Sequence, residues 1–130
     1  MYSETTNFIK VTVQPQYIED ESSPENSHFI WAYHVLIENR GSDTVQLLSR
    51  YWQITDALGR VQEVRGEGVI GEQPVLEPGE AHEYTSGTPL STPSGIMAGS
   101  YTMANQRGER FEVEIPAFSL DSPYVEKRLN

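Results

Sequence analysis

Three glycines in this chain stand at the spacing of a dinucleotide-binding loop. In Arg65-Gly66-Glu67-Gly68-Val69-Ile70-Gly71-Glu72-Gln73-Pro74, residues Gly66, Gly68 and Gly71 spell G-x-G-x-x-G. That pattern cradles pyrophosphate when a strand leads into it and a helix N-terminus follows, with free N–H groups aimed at the anion. Here the strand is in place at Val61–Val64, but the helix is not. Only Glu72 and Gln73 separate Gly71 from Pro74, and proline moves Gln73 away from helical angles. Between Val61 and Gln106 the one Arg or Lys is Arg65, set among Glu63, Glu67, Glu72, Glu77, Glu80 and Glu83. Charge therefore opposes a polyphosphate, and the glycines read first as backbone devices for positive φ and close approach. A glycine-shaped loop is also a good recognition surface, so Arg65, Gly66, Gly68, Gly71 and Gln73 form the candidate binding loop.

Other chemistry is thinly represented. The three histidines, His28, His34 and His82, do not fall into a metal-ligand pattern. His28 and His34 share strand parity but lie about 20 Å apart on a straight strand. His82 could work with Glu80 or Glu83, and Glu19, Asp20, Glu21 and Glu25 read as a solvated acidic loop. No metal site is assigned. There is no G-x-S-x-G elbow and no Gly-Lys-Ser/Thr, so no catalytic residue is assigned either. Arg50 falls between Leu48 and Trp52 on one predicted strand face. A guanidinium on a core face needs carboxylate or carbonyl partners. On an open face, Arg50 and Trp52 would instead make a stacking platform for a ligand.

These residues must be positioned by strands. Apolar residues alternate with period two through most of the chain. The expected strands are Phe8–Val13, extending toward Ile18; His28–Asn39, with Phe29, Trp31, Tyr33, Val35 and Ile37 on one face; and Val45–Asp56, with Leu48, Trp52 and Ile54 on one face. Further strands are expected at Val61–Val64, Ala81–Ser86, Ile96–Asn105 and Arg110–Ala117. Glu19–Ser27 reads as a loop, and Gly87–Gly95, with Pro89 and Pro93, as irregular or an edge. About seven short strands with turns between them predict an all-β fold, a single antiparallel β-sandwich of immunoglobulin or fibronectin type III character. At 130 residues the chain is one domain, with 119–130 expected as a loose tail.

Composition narrows the partners. The net charge of −10 repels nucleic acid and anionic lipid and favours basic proteins or cations. No apolar run is long enough for a membrane helix, and the N-terminus lacks the features of a signal peptide. The absence of cysteine matches a reducing compartment, so a cytoplasmic location is expected.

The run from Ser49 to Met103 resembles the ApaG family, also called CorD, and the resemblance extends over nearly the whole chain. Its most specific blocks are Arg50-Tyr51-Trp52-Gln53-Ile54, the stretch Gly66 to Pro74, Leu76-Glu77-Pro78-Gly79, Tyr84-Thr85-Ser86, and Gly95 to Met103. The resemblance implies a fibronectin type III-like sandwich and a bacterial protein associated with cobalt tolerance and magnesium efflux. It also implies kinship with interaction domains of larger eukaryotic proteins, and it carries no catalytic residues. The function expected is therefore a non-enzymatic interaction module with a protein partner and no cofactor. The alternative is a binder of nucleoside polyphosphate or a divalent metal through the glycine loop. A dimer through an edge strand stays open as an oligomeric state.

Overall fold

The computed structural model describes residues 1–125, and in them the period-two segments become nine antiparallel strands. They are β1 (Tyr2–Thr6), β2 (Ile9–Tyr17), β3 (Phe29–Asn39), β4 (Val45–Asp56), β5 (Val61–Glu67), β6 (Val75–Leu76), β7 (Ala81–Leu90), β8 (Ser94–Asn105) and β9 (Arg110–Asp121). One sheet has the order β1-β2-β3-β7. The other has the order β5-β4-β8-β9, with β6 also paired to β4. The expected antiparallel sandwich is what forms. The two strands beyond the expected seven are β1 and the two-residue β6. β1 is polar on both faces in Tyr-Ser-Glu-Thr-Thr and so carries no alternation signal.

The alternation of β3 sends Phe29, Trp31, Tyr33, Val35 and Ile37 inward, all buried. Tyr33 meets Trp52 edge-on at 5.2 Å, and Trp52 meets Phe118 edge-on at 6.0 Å, so aromatic contacts tie the two sheets together. Gly99 makes the closest approach possible: a Cβ there would lie 2.1 Å from the Tyr51 carbonyl oxygen and 3.1 Å from Trp52 Cε3. Glu19–Glu21 and Pro24–Asn26 form two 3-10 turns within the expected acidic loop.

Two bulges correct the simple alternation. In β4 the pairing with β8 skips Leu48, so Leu47 and Trp52 both point inward although their numbers differ in parity. Leu48 thus leaves the face on which the sequence pattern placed it beside Trp52 and Ile54. In β9 the register shifts between the partners of Met97 and Gly99, at Pro116–Ala117, and burial passes from Val113 and Ile115 to Phe118 and Leu120. Proline at that point is physically sensible, because a bulge frees it from the ladder it cannot donate to. The strand then continues to Asp121, into the stretch expected as a tail; residues 126–130 lie outside the described residues.

Prolines also fix the edges. Pro15 pairs with Tyr33 of β3, and its missing N–H faces the side where β1 has already ended, since β1 reaches only as far as Tyr2 opposite Val13. Pro89 extends β7 through the segment expected to be irregular or an edge, and β7 is indeed an edge strand. On one side of the sandwich β9 packs across the start of the chain, where Tyr2 Oη meets Ser119 Oγ at 3.1 Å and Glu114 N–H donates to Thr6 Oγ1 at 3.2 Å. On the other side the outer strands are β7 and β5, and the glycine loop lies between them.

Candidate functional site

The glycine loop begins as strand and ends as a hairpin. Gly66 is the residue of β5 opposite Arg50 of β4. A Cβ on Gly66 would stand 2.7 Å from Cζ, Nη1 and Nη2 of Arg50, so the absence of a side chain is what lets the guanidinium lie against the β5 backbone. Arg50 Nη1 then donates to the carbonyl oxygens of Glu67 at 3.1 Å and Gly68 at 2.9 Å. Arg50 is half-buried, and its partners are backbone carbonyls. Among the described residues no carboxylate pairs with it.

Gly68 has φ +61, and a Cβ there would fall 2.2 Å from the Glu72 carbonyl oxygen. Its N–H donates to Leu48 O at 2.9 Å, the same oxygen that accepts from Gln73 Nε2 at 2.9 Å. The Leu48 carbonyl thus takes two donors from the loop, the first of them continuing the β4–β5 register, and Leu47 N–H donates to Pro74 O at 3.0 Å. Val69 and Glu72 then exchange both backbone hydrogen bonds, at 2.8 and 3.0 Å, around Ile70 and Gly71. Both central residues have positive φ, 48° and 74°, the signature of a type I′ turn. Gly71 suits that position. Ile70 does not, because a β-branched residue at positive φ is strained, and the residue is 62% exposed. The N–H groups of Gly68, Val69 and Glu72 are all engaged with protein carbonyls.

The candidate residues separate onto different surfaces. Arg65 lies on the outer face of the sheet, 4.6 Å over the Tyr51 ring and 3.1 Å from Glu63. Arg50 lies on the inner face. Trp52 is only 3% exposed between Tyr33 and Phe118, which corrects the open-platform alternative: its ring is a core ring. The histidines find partners other than those sought. His82 of β7 stands 3.7 Å from Glu72 of the loop, and His34 contacts Glu83 at 3.1 Å and Thr85 at 2.8 Å. Among the described residues no three metal-ligating side chains gather.

Sequence reading missed the cavity beneath the loop. It has a volume of about 250 Å³ and is lined by Tyr33, Arg50, Trp52, Glu67, Tyr84 and Ser86, with Val69, Ile70 and Gly71 at the loop. Behind it the hydroxyls of Tyr84 and Tyr101 hydrogen-bond to each other. Burial pushes the Tyr84 and Tyr101 hydroxyls well above the usual tyrosine range. Burial also raises Tyr33, against the opposing pulls of the Ser86 hydroxyl and the Arg50 charge. All three are therefore neutral hydroxyls at ordinary pH. The signal for this cluster was present as inward tyrosines on three strands, but alternation alone cannot say that they converge on one arginine.

No helix among the described residues is long and apolar enough to cross a membrane. The family model of the ApaG domain matches residues 19–105. Protein ApaG of Rhodospirillum centenum is 67% identical, and Protein ApaG of Paramagnetospirillum magneticum 65%, each over 130 residues that cover all of both chains. Among solved structures, the Bordetella pertussis protein that carries the name ApaA is 47% identical. It superposes with a TM-score of 0.86, covering 95% of this chain and 98% of that one.

Proposed function

The chain belongs to the ApaG family, and from that premise we propose that it is a non-enzymatic interaction module. Its contact surface is the Arg65–Pro74 loop together with the free edge of β7. The observation that carries this reading is the edge itself. β7 is ten residues long, bonds to β3 on one side and has no strand on the other among the described residues. Asn39 N–H donates to Glu80 O, so the alternation of an antiparallel ladder turns the N–H groups of Ala81, Glu83, Thr85 and Gly87 away from β3. Pro89 falls on the same parity, where the ladder asks nothing of its nitrogen. Such a row of donors and acceptors can take a partner strand. The strained, exposed Ile70 stands at the neighbouring loop, offering an apolar contact beside the polar edge.

Engagement of the Gly68, Val69 and Glu72 N–H groups by protein carbonyls supports this reading over nucleotide capture. The acidic surface favours a basic partner segment. Any bearing on cobalt tolerance or magnesium efflux then runs through that partner rather than through a metal held by this chain. The test is Glu83→Pro, which deletes one outward N–H and leaves the β3 ladder intact. Cross-linked partners recovered with the tagged wild-type chain from cells should be lost with the variant. Undiminished recovery by a folded variant would remove the β7 edge from the proposal.

A further inference from the structure

We propose that the cavity beneath the glycine loop is a binding site for a carboxylate, held by Arg50 and the hydroxyls around it. Arg50 spends Nη1 on the Glu67 and Gly68 carbonyls, which fix the plane of the guanidinium. Its remaining N–H groups have no acceptor among the described residues. Nor are they turned to a protein carboxylate, as the other paired arginines are: Arg40, Arg60, Arg65 and Arg107 all sit within 3.1 Å of one. In a chain with 19 acidic side chains, an arginine on the inner face of the sandwich that meets none is unusual.

The surroundings select the ligand class. Tyr33 and Ser86 are direct partners in the β3–β7 register, so their side chains share the inner face beside the cavity, and Tyr84 lies two positions along. These are neutral groups that can donate; the one acidic residue of the lining is Glu67, which is exposed and whose backbone carbonyl is already an Arg50 acceptor. One cation with several neutral donors matches a monoanion, and the planar fork of arginine matches a carboxylate in particular. A dianion such as phosphate would bring a second charge that no residue of the lining answers, into a chain whose net charge is −10. A volume of about 250 Å³ admits an acetate-sized group or the end of a glutamate side chain, and not a nucleotide. The site does not depend on the interaction reading, because a free carboxylate can occupy it without a partner strand.

The experiment is a nuclear magnetic resonance titration of the whole chain, following the Arg50 Nε–Hε signal and the Tyr33, Tyr84 and Ser86 amides. The probes are sodium acetate, sodium chloride and sodium phosphate at matched ionic strength. Acetate should shift these signals saturably with a Kd of about 10 mM, a value fitting two charge-assisted hydrogen bonds. Arg50→Gln should weaken it about tenfold, and Ser86→Ala, which leaves the guanidinium in place, about threefold. If Arg50→Gln fails to fold, the wild-type Arg50 signal and the Ser86→Ala titration still decide. Non-saturating shifts, equal shifts with chloride, or saturation by phosphate alone would overturn the carboxylate assignment. Two further probes distinguish the source: N-acetyl-alanine, which mimics a peptide C-terminus, and N-acetyl-glutamyl amide, which mimics a side chain. Tighter binding of either than of acetate assigns the site to a protein segment, and equal binding assigns it to a free small acid; both outcomes support the carboxylate.

Discussion

Replacing the three motif glycines one at a time by alanine separates what each contributes, because their surroundings differ sharply. Gly71 has φ +74, and nothing lies within 4 Å of the place a Cβ would take, so Gly71→Ala carries only the left-handed backbone cost, about 1–2 kcal/mol. Gly68 has φ +61 and bears the same cost. Its Cβ would also fall 2.2 Å from the Glu72 carbonyl oxygen, which accepts the Val69 N–H. Relieving that overlap breaks at least one bond of the Val69–Glu72 pair, at about 0.5–1.5 kcal/mol each. It also strains the Gly68 N–H bond to Leu48, so Gly68→Ala should cost about 2–4 kcal/mol. Gly66 is in extended strand and carries no left-handed cost. Its Cβ would displace the Arg50 guanidinium, so Gly66→Ala should forfeit the two carbonyl contacts, about 1.5–3 kcal/mol. Urea denaturation followed by tryptophan fluorescence reads all three as shifts in midpoint at constant slope. Gly71→Asn, which tolerates positive φ, should recover most of the Gly71→Ala loss. Equal losses at the three sites, or a neutral Gly68→Ala, would refute the reading that these glycines serve the loop's own packing.

Further outcomes follow from the same geometry. Tyr84→Phe and Tyr101→Phe should each cost about 1–3 kcal/mol by leaving a buried hydroxyl without its partner, and the double variant should cost less than the sum, as a denaturation cycle would show. Alkaline titration of tyrosine absorbance should find Tyr84 and Tyr101 un-ionised until the fold is lost. Their folded pKa lies above the usual 10.0, so the stability they contribute is whole below that value and falls as pH rises beyond it. Gln73→Ala should loosen the loop by removing one of two donors to Leu48 O, at about 1 kcal/mol, seen as faster hydrogen exchange at Gly68. Ile70→Gly should stabilise the chain by about 1 kcal/mol, since it relieves a β-branched residue at positive φ and exposes no core. A loss of stability would contradict the strain.

How much of this was legible in the residues depends on whether a local rule decided it. The alternation in Phe29–Ile37 is uninterrupted, so β3 and its buried face could be read directly. Pro74 and the missing helix excluded a Rossmann turn from the residues alone. Leu48 was misplaced because a bulge shifts parity by one residue, and nothing in Leu47-Leu48-Ser49 marks which leucine is the extra one. The bulge lies where β4 passes from pairing with β5 to pairing with β6, a change set by residues distant in sequence. Arg50 could be recognised as a residue in need of partners, but Gly66 as the space it occupies could not, since 15 intervening residues and a hairpin set that meeting. The tyrosine cluster likewise depends on the packing of the two sheets, to which strand periodicity is blind.

The central claim is that partners meet this chain at the glycine loop and the β7 edge, and site-specific photo-cross-linking in cells tests it most directly. A photoreactive benzoyl-phenylalanine placed at Ile70 or at Glu83 should give a discrete adduct with the same partner from both positions. The same group at Glu112, on the outer face of the other sheet, should give none. Adducts from Glu112 with nothing from Ile70 and Glu83 would contradict the account.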